Sequence, residues 1–198
     1  PMIALEKAKG CWLYDYDGRR YFDAISSWWV NLFGHSNAKI NVALTKQLNT
    51  LEHAMLAGFT HRPVVELSER LSQLTDNKLG HVFYGSDGAS AVEVALKMSF
   101  HFWFNRGQKN KNEFVCLKNS YHGETLGALS VSDISLYKDV YGHLLNQVNV
   151  VEGPDSRYKK VEEKTVGYCL EKLEEMLKLK NDRLAAVIME PLVQGAAG

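Results

Sequence analysis

Cysteine is scarce: 198 residues hold only three, Cys11, Cys116 and Cys169, far apart and odd in number. That excludes a disulfide framework and predicts reduced, buried thiols in a cytosolic protein, since each lies in an apolar run. Clustered metal ligands are also missing. The seven histidines form no His-x-x-x-His, there is no Cys-x-x-Cys, and His53 and His61 are the nearest to a pair, so no metal site is expected. Neither charge sign is in excess. Lys plus Arg is 23 and Asp plus Glu is 23, which gives no electrostatic case for nucleic acid or an anionic membrane. No stretch reaches the length of a membrane span, and PMIALEKAKG lacks the apolar core of a signal peptide. There is no internal repeat and no low-complexity segment.

The composition that remains, 45% hydrophobic and 23% charged, is that of an ordinary globular protein. The chain opens on Pro1 rather than a methionine. It stops at Gly195-Ala196-Ala197-Gly198, one loop past an apolar run. A domain rarely ends there, so a fragment is expected.

Residues 11–25 read as a hairpin around the turn signal Asp17-Gly18. Residues 38–57 read as a helix with Ile40, Leu44, Leu48, Leu51 and Met55 on one face. Residues 64–75 read as another, with Pro63 suited to its first turn. From 81 onward the pattern alternates. HVFY (81–84), EFVCL (113–117), QVNVV (147–151) and LAAVIM (184–189) read as strands, separated by helices at 89–105, 123–130 and 162–178. Residues 152–161 are the nearest thing to a linker. Continuous apolar strands between helices predict an α/β fold, a mostly parallel sheet covered on both faces.

Four motifs could carry chemistry. Gly85-Ser86-Asp87-Gly88-Ala89-Ser90 opens a helix. Small residues there let a ligand approach the backbone, and free N–H groups at a helix start suit a phosphate. The plainer reading is capping, with Ser90 and Glu93 as a capping box or Ser86 or Asp87 as the cap. The motif is neither Gly-x-Gly-x-x-Gly nor a P-loop, and Asp87 opposes an anion unless its side chain turns away. Asn119-Ser120-Tyr121-His122-Gly123-Glu124-Thr125 follows the second strand. Tyr121 could stack on a planar ligand or simply fill the core, and His122 could bond a ligand or hold its own loop. In Ser26-Ser27-Trp28-Trp29-Val30, a strand would send the two indoles to opposite faces, so one should line a pocket or interface, or both be buried across two packing layers. Glu190-Pro191-Leu192-Val193-Gln194-Gly195 ends the last strand with a carboxylate, facing a crevice or merely solvent. Three of these motifs fall at carboxyl ends of predicted parallel strands, where such sheets bind ligands.

The ordered set SDGASAVEVALKM, NSYHGET and IMEPLVQG, with the earlier WLYDYDGRRYFD and Gly34-His35, resembles the class III, fold-type-I aminotransferases that use pyridoxal phosphate (PLP). The resemblance covers essentially the whole chain. It implies a small-domain α+β segment over 1–60 and the first part of a large PLP-binding domain over 61–198. It places Gly88 and Ala89 where the family binds the phosphate through backbone amides; many members have Ser at the second position. Tyr121 falls where an aromatic stacks on the pyridine ring and borders the substrate. Trp28 falls on a substrate-pocket tryptophan, and Glu190 on a strand-end carboxylate near the cofactor. Glu124 stands where some members have Asp, a departure expected to matter little.

Ser26-Ser27-Trp28-Trp29 and Thr60-His61-Arg62-Pro63 narrow the resemblance to a biotin-pathway branch. That branch passes an amino group from S-adenosylmethionine to 8-amino-7-oxononanoate. Another member acting on ornithine, 4-aminobutyrate or an ω-amino acid is the alternative, as is a non-catalytic piece. The family works as a cytoplasmic homodimer with sites at the subunit interface. Its Schiff-base lysine, and the carboxylate against the pyridine nitrogen, fall beyond residue 198. Its amino-terminal pocket-closing segment also has no counterpart here. Lys118 is near Tyr121 but in the wrong motif, and is not nominated.

Overall fold

The computed structural model describes residues 2–158 and 165–196. The chain forms two compact units, Pro1–Val82 and Phe83–Gly198.

The first unit is built on a three-stranded antiparallel sheet of β1 (Leu5–Lys9), β2 (Trp12–Asp15) and β3 (Arg20–Phe22), in that order. The expected hairpin is β2–β3, turning through Gly18 at φ +78°. The buried Asp15 carboxylate holds it, accepting from Arg19 N at 2.8 Å and Tyr21 OH at 2.8 Å. β1 had no signal in the sequence, because LEKAK has no apolar alternation and four of its five residues are exposed. Cys11 lies at the β1–β2 turn and is exposed, contrary to expectation. A turn tip has no layer packed over it, whereas Cys116 and Cys169 are buried as expected.

α1 (Ala38–Leu48) starts at Asn37, whose side chain accepts from Lys39 N and Ile40 N. It stops well short of residue 57. Asn49 Nδ2 and Thr50 Oγ1 donate to the Thr45 and Lys46 carbonyls at 2.9 Å each, which satisfies the last turn without further helix. α2 (Arg62–Gln73) carries Pro63 in its first turn, and His61 Nδ1 accepts from Val64 N at 3.4 Å.

The second unit contains α3 (Gly88–Asn105), β4 (Glu113–Leu117), α4 (Leu126–Ser130), α5 (Ser135–Lys138), β5 (Asn149–Val151), α6 (Val166–Leu179) and β6 (Leu184–Ile188). β4 is central, with β5 and β6 parallel on either side. Successive residues Val115 and Cys116 are both 0% exposed, so β4 is covered on both faces. Val115, Val151 and Leu184 form the core, with Leu173 and Met176 of α6 against them. At the amino ends of the strands, Glu113 accepts from Lys180 and Asn149 and pairs with Arg183 at 3.0 Å. The opposite, carboxyl ends are left for a site.

HVFY is not a strand. It joins neither ladder, although the outer edges of β5 and β6 are unpaired among the described residues. The predicted helix at 123–130 begins only at Leu126, because Gly123 has φ +127° and Thr125 is extended. Of the segment expected as a helix at 162–178, residues 162–164 lie outside the described residues, as do 159–161 of the expected linker.

Candidate active site

The carboxyl ends of β4 and β6 and the start of α3 meet through backbone contacts that only small residues allow. A Cβ on Gly123 would lie 2.6 Å from Ala89 Cβ and 3.0 Å from Ala89 Cα. This packing brings the first and second motifs together, in place of the neighbouring strands expected from the sequence. A Cβ on Gly85 would stand 3.0 Å from Ala91 N, so the approach to α3 is equally tight.

Asp87 is the cap of α3. Its two oxygens accept from Ser90 N and Ser90 Oγ, each at 2.8 Å, and these bonds hold its carboxyl below the usual value. The carboxylate is thus turned onto its own helix. A Cβ on Gly88 would meet no atom within 4 Å, which leaves open space beside the first helical residue. The expected Ser90–Glu93 capping box does not form. Glu93 Oε1 instead accepts from Thr125 Oγ1 (2.6 Å), Gly127 N (2.7 Å) and Ala128 N (3.3 Å). It caps α4 from a different helix, since Thr125 makes no side-chain cap of its own.

Tyr121 N donates to Glu190 Oε1 at 2.9 Å, and Gly195 N donates to Glu190 Oε2 at 2.8 Å. Glu190 therefore clasps the loop after β4 to the loop after β6. Tyr121 OH donates to Glu124 Oε1 at 2.9 Å. Burial, aided by this carboxylate, pushes the phenol up to about 12, so it stays protonated at any working pH. Glu124 thus has a definite partner in Tyr121. His122 N donates to Ser132 Oγ at 2.9 Å. Its Nε2 is buried without a partner among the described residues. Burial lowers the imidazole's affinity for a proton, with the Glu190 charge opposing, so the neutral ring is favoured at pH 7. Lys118 is ion-paired with Glu152 at 2.6 Å. A cavity of about 560 Å³ lies at these strand ends, with Lys118, Glu190 and Gln194 in its walls; Gly88, Ala89 and Tyr121 lie outside it.

Trp28 belongs to the other unit, Pro1–Val82. The premise of strand alternation fails there. Ser26, Ser27, Trp28 and Trp29 have φ of 50°, 47°, 68° and 64°, a left-handed turn closed by Trp29 N donating to Ile25 O at 2.8 Å. Each such residue costs about 1–2 kcal/mol with a Cβ present. Trp28 and Trp29 are 69% and 67% exposed, edge to face at 5.9 Å. Asp23, whose side chain is 5% exposed, holds the turn. Its oxygens accept from Ser27 N (2.9 Å), Ser27 Oγ (2.7 Å) and His35 Nε2 (2.7 Å). These bonds, the Ser27 amide first and then His35, bring the Asp23 carboxyl down to about 2.

Asp23 and Gly123 were given no role of their own from the sequence, and Glu93 was given a different one. Each acts on a residue distant in the chain or by its lack of a side chain, and neither leaves a local spacing signal.

A profile of class III aminotransferases matches residues 1–198. The chain therefore belongs to the class III aminotransferase family. Within it, the chain is 46% identical over 197 residues to adenosylmethionine-8-amino-7-oxononanoate aminotransferase of Helicobacter pylori, covering 99% of this chain and 43% of that protein. The solved structure of the enzyme of that name from Methanocaldococcus jannaschii superposes with a TM-score of 0.88 at 34% identity, over 100% of this chain and 43% of that one. A PLP-bound amine transaminase from an uncultivated Pseudomonas species gives 0.89 at 30% identity, over 100% and 46%. The chain thus spans less than half the length of the relatives it matches.

Proposed function

We propose that the whole enzyme is a PLP-dependent transaminase that moves the amino group of S-adenosylmethionine to 8-amino-7-oxononanoate, giving 7,8-diaminononanoate for biotin synthesis. The observation that carries the cofactor assignment is the packing of Gly123 on Ala89. It sets Tyr121 and the open helix start at Gly88 on one strand-end edge. The substrate assignment is supported by the names of the relatives and by the exposed indoles of Trp28 and Trp29.

The residues fit the cofactor. Asp87 is engaged with Ser90, so its charge is drawn onto the helix, and the space beside Gly88 is open to a phosphate. Gly88 and Ala89 carry the backbone N–H groups for it, that of Ala89 shared with the Asp87 carboxylate; Ala89 lacks the hydroxyl that many members supply. Tyr121 provides an aromatic face whose hydroxyl is fixed by Glu124. Glu190 holds that ring's backbone and is read as binding the cofactor's surroundings rather than as an acid or base, because both its oxygens accept backbone N–H bonds. PLP, when bound, supplies the electron sink that stabilises the carbanion of an amino donor. Trp28 is a flat wall suited to a long-chain keto acid and to adenosylmethionine. Residues 1–60 belong with the small domain and 61–198 with the large one, and the active enzyme is a cytoplasmic homodimer. No described helix is long and apolar enough to cross a membrane.

The test is a coupled assay of the full-length enzyme with PLP, comparing S-adenosylmethionine with ornithine and 4-aminobutyrate as donors. S-adenosylmethionine should support formation of 7,8-diaminononanoate; activity with the other donors alone would reject the substrate assignment. Trp28→Ala should cut this turnover far more than it weakens PLP binding.

A further inference from the structure

We infer that Asp23 and His35 are positioning residues: a carboxylate–imidazole clamp that holds Ser26–Trp29 left-handed and so fixes the Trp28 and Trp29 rings for substrate. The clamp rests on the functional reading above, but its geometry stands within the Pro1–Val82 unit alone. Four consecutive residues with side chains at positive φ do not persist unless the surroundings impose the conformation. The surroundings here are specific. Asp23 accepts three bonds, two from Ser27 in the middle of the turn and one from His35. Ser27 Oγ also stands 3.5 Å from His35 Nε2, which closes the triangle.

The clamp is bolted to the sheet at both ends. Asp23 N donates to Cys11 O at 2.9 Å. His35 exchanges both backbone bonds with Gly10, at 3.0 and 2.8 Å. That bridge requires glycine at 34, where φ is +80° and a Cβ would stand 3.1 Å from Gly10 Cα. Ser36 Oγ adds a bond to Ala8 O at 2.8 Å. The rings themselves gain little from this arrangement, since both are largely exposed. A strained turn, held by an almost buried carboxylate–imidazole contact to present two open indoles, is built for what the indoles touch.

The clamp is tested in the full-length enzyme. Asp23→Asn keeps the size but loses the charge and sets an NH2 against the Ser27 and His35 donors. It should raise KM for 8-amino-7-oxononanoate about tenfold, with PLP affinity unchanged. It should also alter the near-ultraviolet circular dichroism of the tryptophan pair. Ser26→Gly relaxes the turn's first residue, because glycine takes φ near +50° without a Cβ penalty. Alone it should leave KM and the tryptophan signal as in wild type. Added to Asp23→Asn it should restore both towards wild type. Wild-type KM and tryptophan signal in a folded Asp23→Asn enzyme would overturn the clamp, as would a double variant with no recovery. If Asp23→Asn does not fold, a Ser26→Gly enzyme with a raised KM overturns it instead. A wild-type enzyme inert towards the keto acid would reject the functional reading, and the tryptophan signal and its rescue would still decide the clamp.

Discussion

Gly88 and Asp23 show how a single side chain, or its absence, sets chemistry here. A Cβ at Gly88 meets nothing within 4 Å, so Gly88→Val should fold normally. The added isopropyl group would occupy the space through which a phosphate reaches the first amides of α3. The expected outcome is a PLP affinity at least about tenfold weaker with an unchanged apo-enzyme melting temperature. Titration of apo-enzyme with PLP decides it, and an unaltered affinity removes Gly88 from the site. Asp23 predicts an acid response. Its carboxyl falls from the ordinary 3.8 to about 2 because the folded turn stabilises the charged form. The unfolded chain therefore binds more protons between these values. The Asp23 contribution is complete above about pH 5 and is lost as pH falls through 3.8 towards 2. Tryptophan fluorescence followed from pH 5 to 2 should show a transition in this window. Asp23→Asn should lack that component, and identical titrations of the two proteins would disprove it.

At the scale of elements, the apolar runs of β4, β5 and β6 and the helical spacing of α3 and α6 were legible, because each is a local pattern with its own period. HVFY was misread because an apolar run shows only that a segment can be a strand; a strand must also form a ladder, and HVFY forms none with the described strands. The Ser90–Glu93 capping box was misread for the opposite reason. The spacing is right, but Glu93 reaches Thr125 and Gly127, more than thirty residues away. Among the site residues, Gly88, Ala89, Tyr121 and Glu190 were found in one unit, and the contacts that assemble them were not visible in the chain. Gly123 is the test of that assembly. Gly123→Ala drives a methyl into Ala89 and forces an L side chain to φ +127°. Overpacking of this kind costs about 1–3 kcal/mol, and the backbone strain adds to it. Urea denaturation of the full-length enzyme should show this loss, together with weaker PLP binding. Ala89→Gly in the same protein should recover part of the steric cost, since Ala89 Cα and Ala128 Cβ stay at 3.0 and 3.1 Å. A Gly123→Ala protein as stable as wild type would mean that the two motifs are not packed as described.

The whole molecule carries more apolar surface than its core can use. α3 has no buried residue, although Phe100, Phe102 and Phe104 all lie on it, and each is at least 40% exposed. Its long-range polar ties among the bonds described are Glu93 accepting from Thr125, Gly127 and Ala128 and Trp103 Nε1 donating to Ala185 O of the edge strand β6, at 2.8 Å. A helix with this much exposed aromatic surface is stable only when covered, and a sheet edge as apolar as LAAVIM is a template for pairing with another chain. The relatives that match are more than twice as long. Residues 1–198 expressed alone should therefore bind a hydrophobic dye strongly, associate at micromolar concentration, and melt without a cooperative transition. The full-length protein should do none of these. The isolated segment should also show no transaminase turnover with added PLP, since it spans less than half the length of the transaminases it resembles, and Lys118, paired with Glu152, is not nominated for the cofactor. Dye binding, sedimentation, a thermal melt and a transaminase assay with the visible spectrum measure these four outcomes. A cofactor band that survives Lys118→Ala, together with turnover, would show that the segment holds a catalytic lysine elsewhere and that the site is wrongly composed.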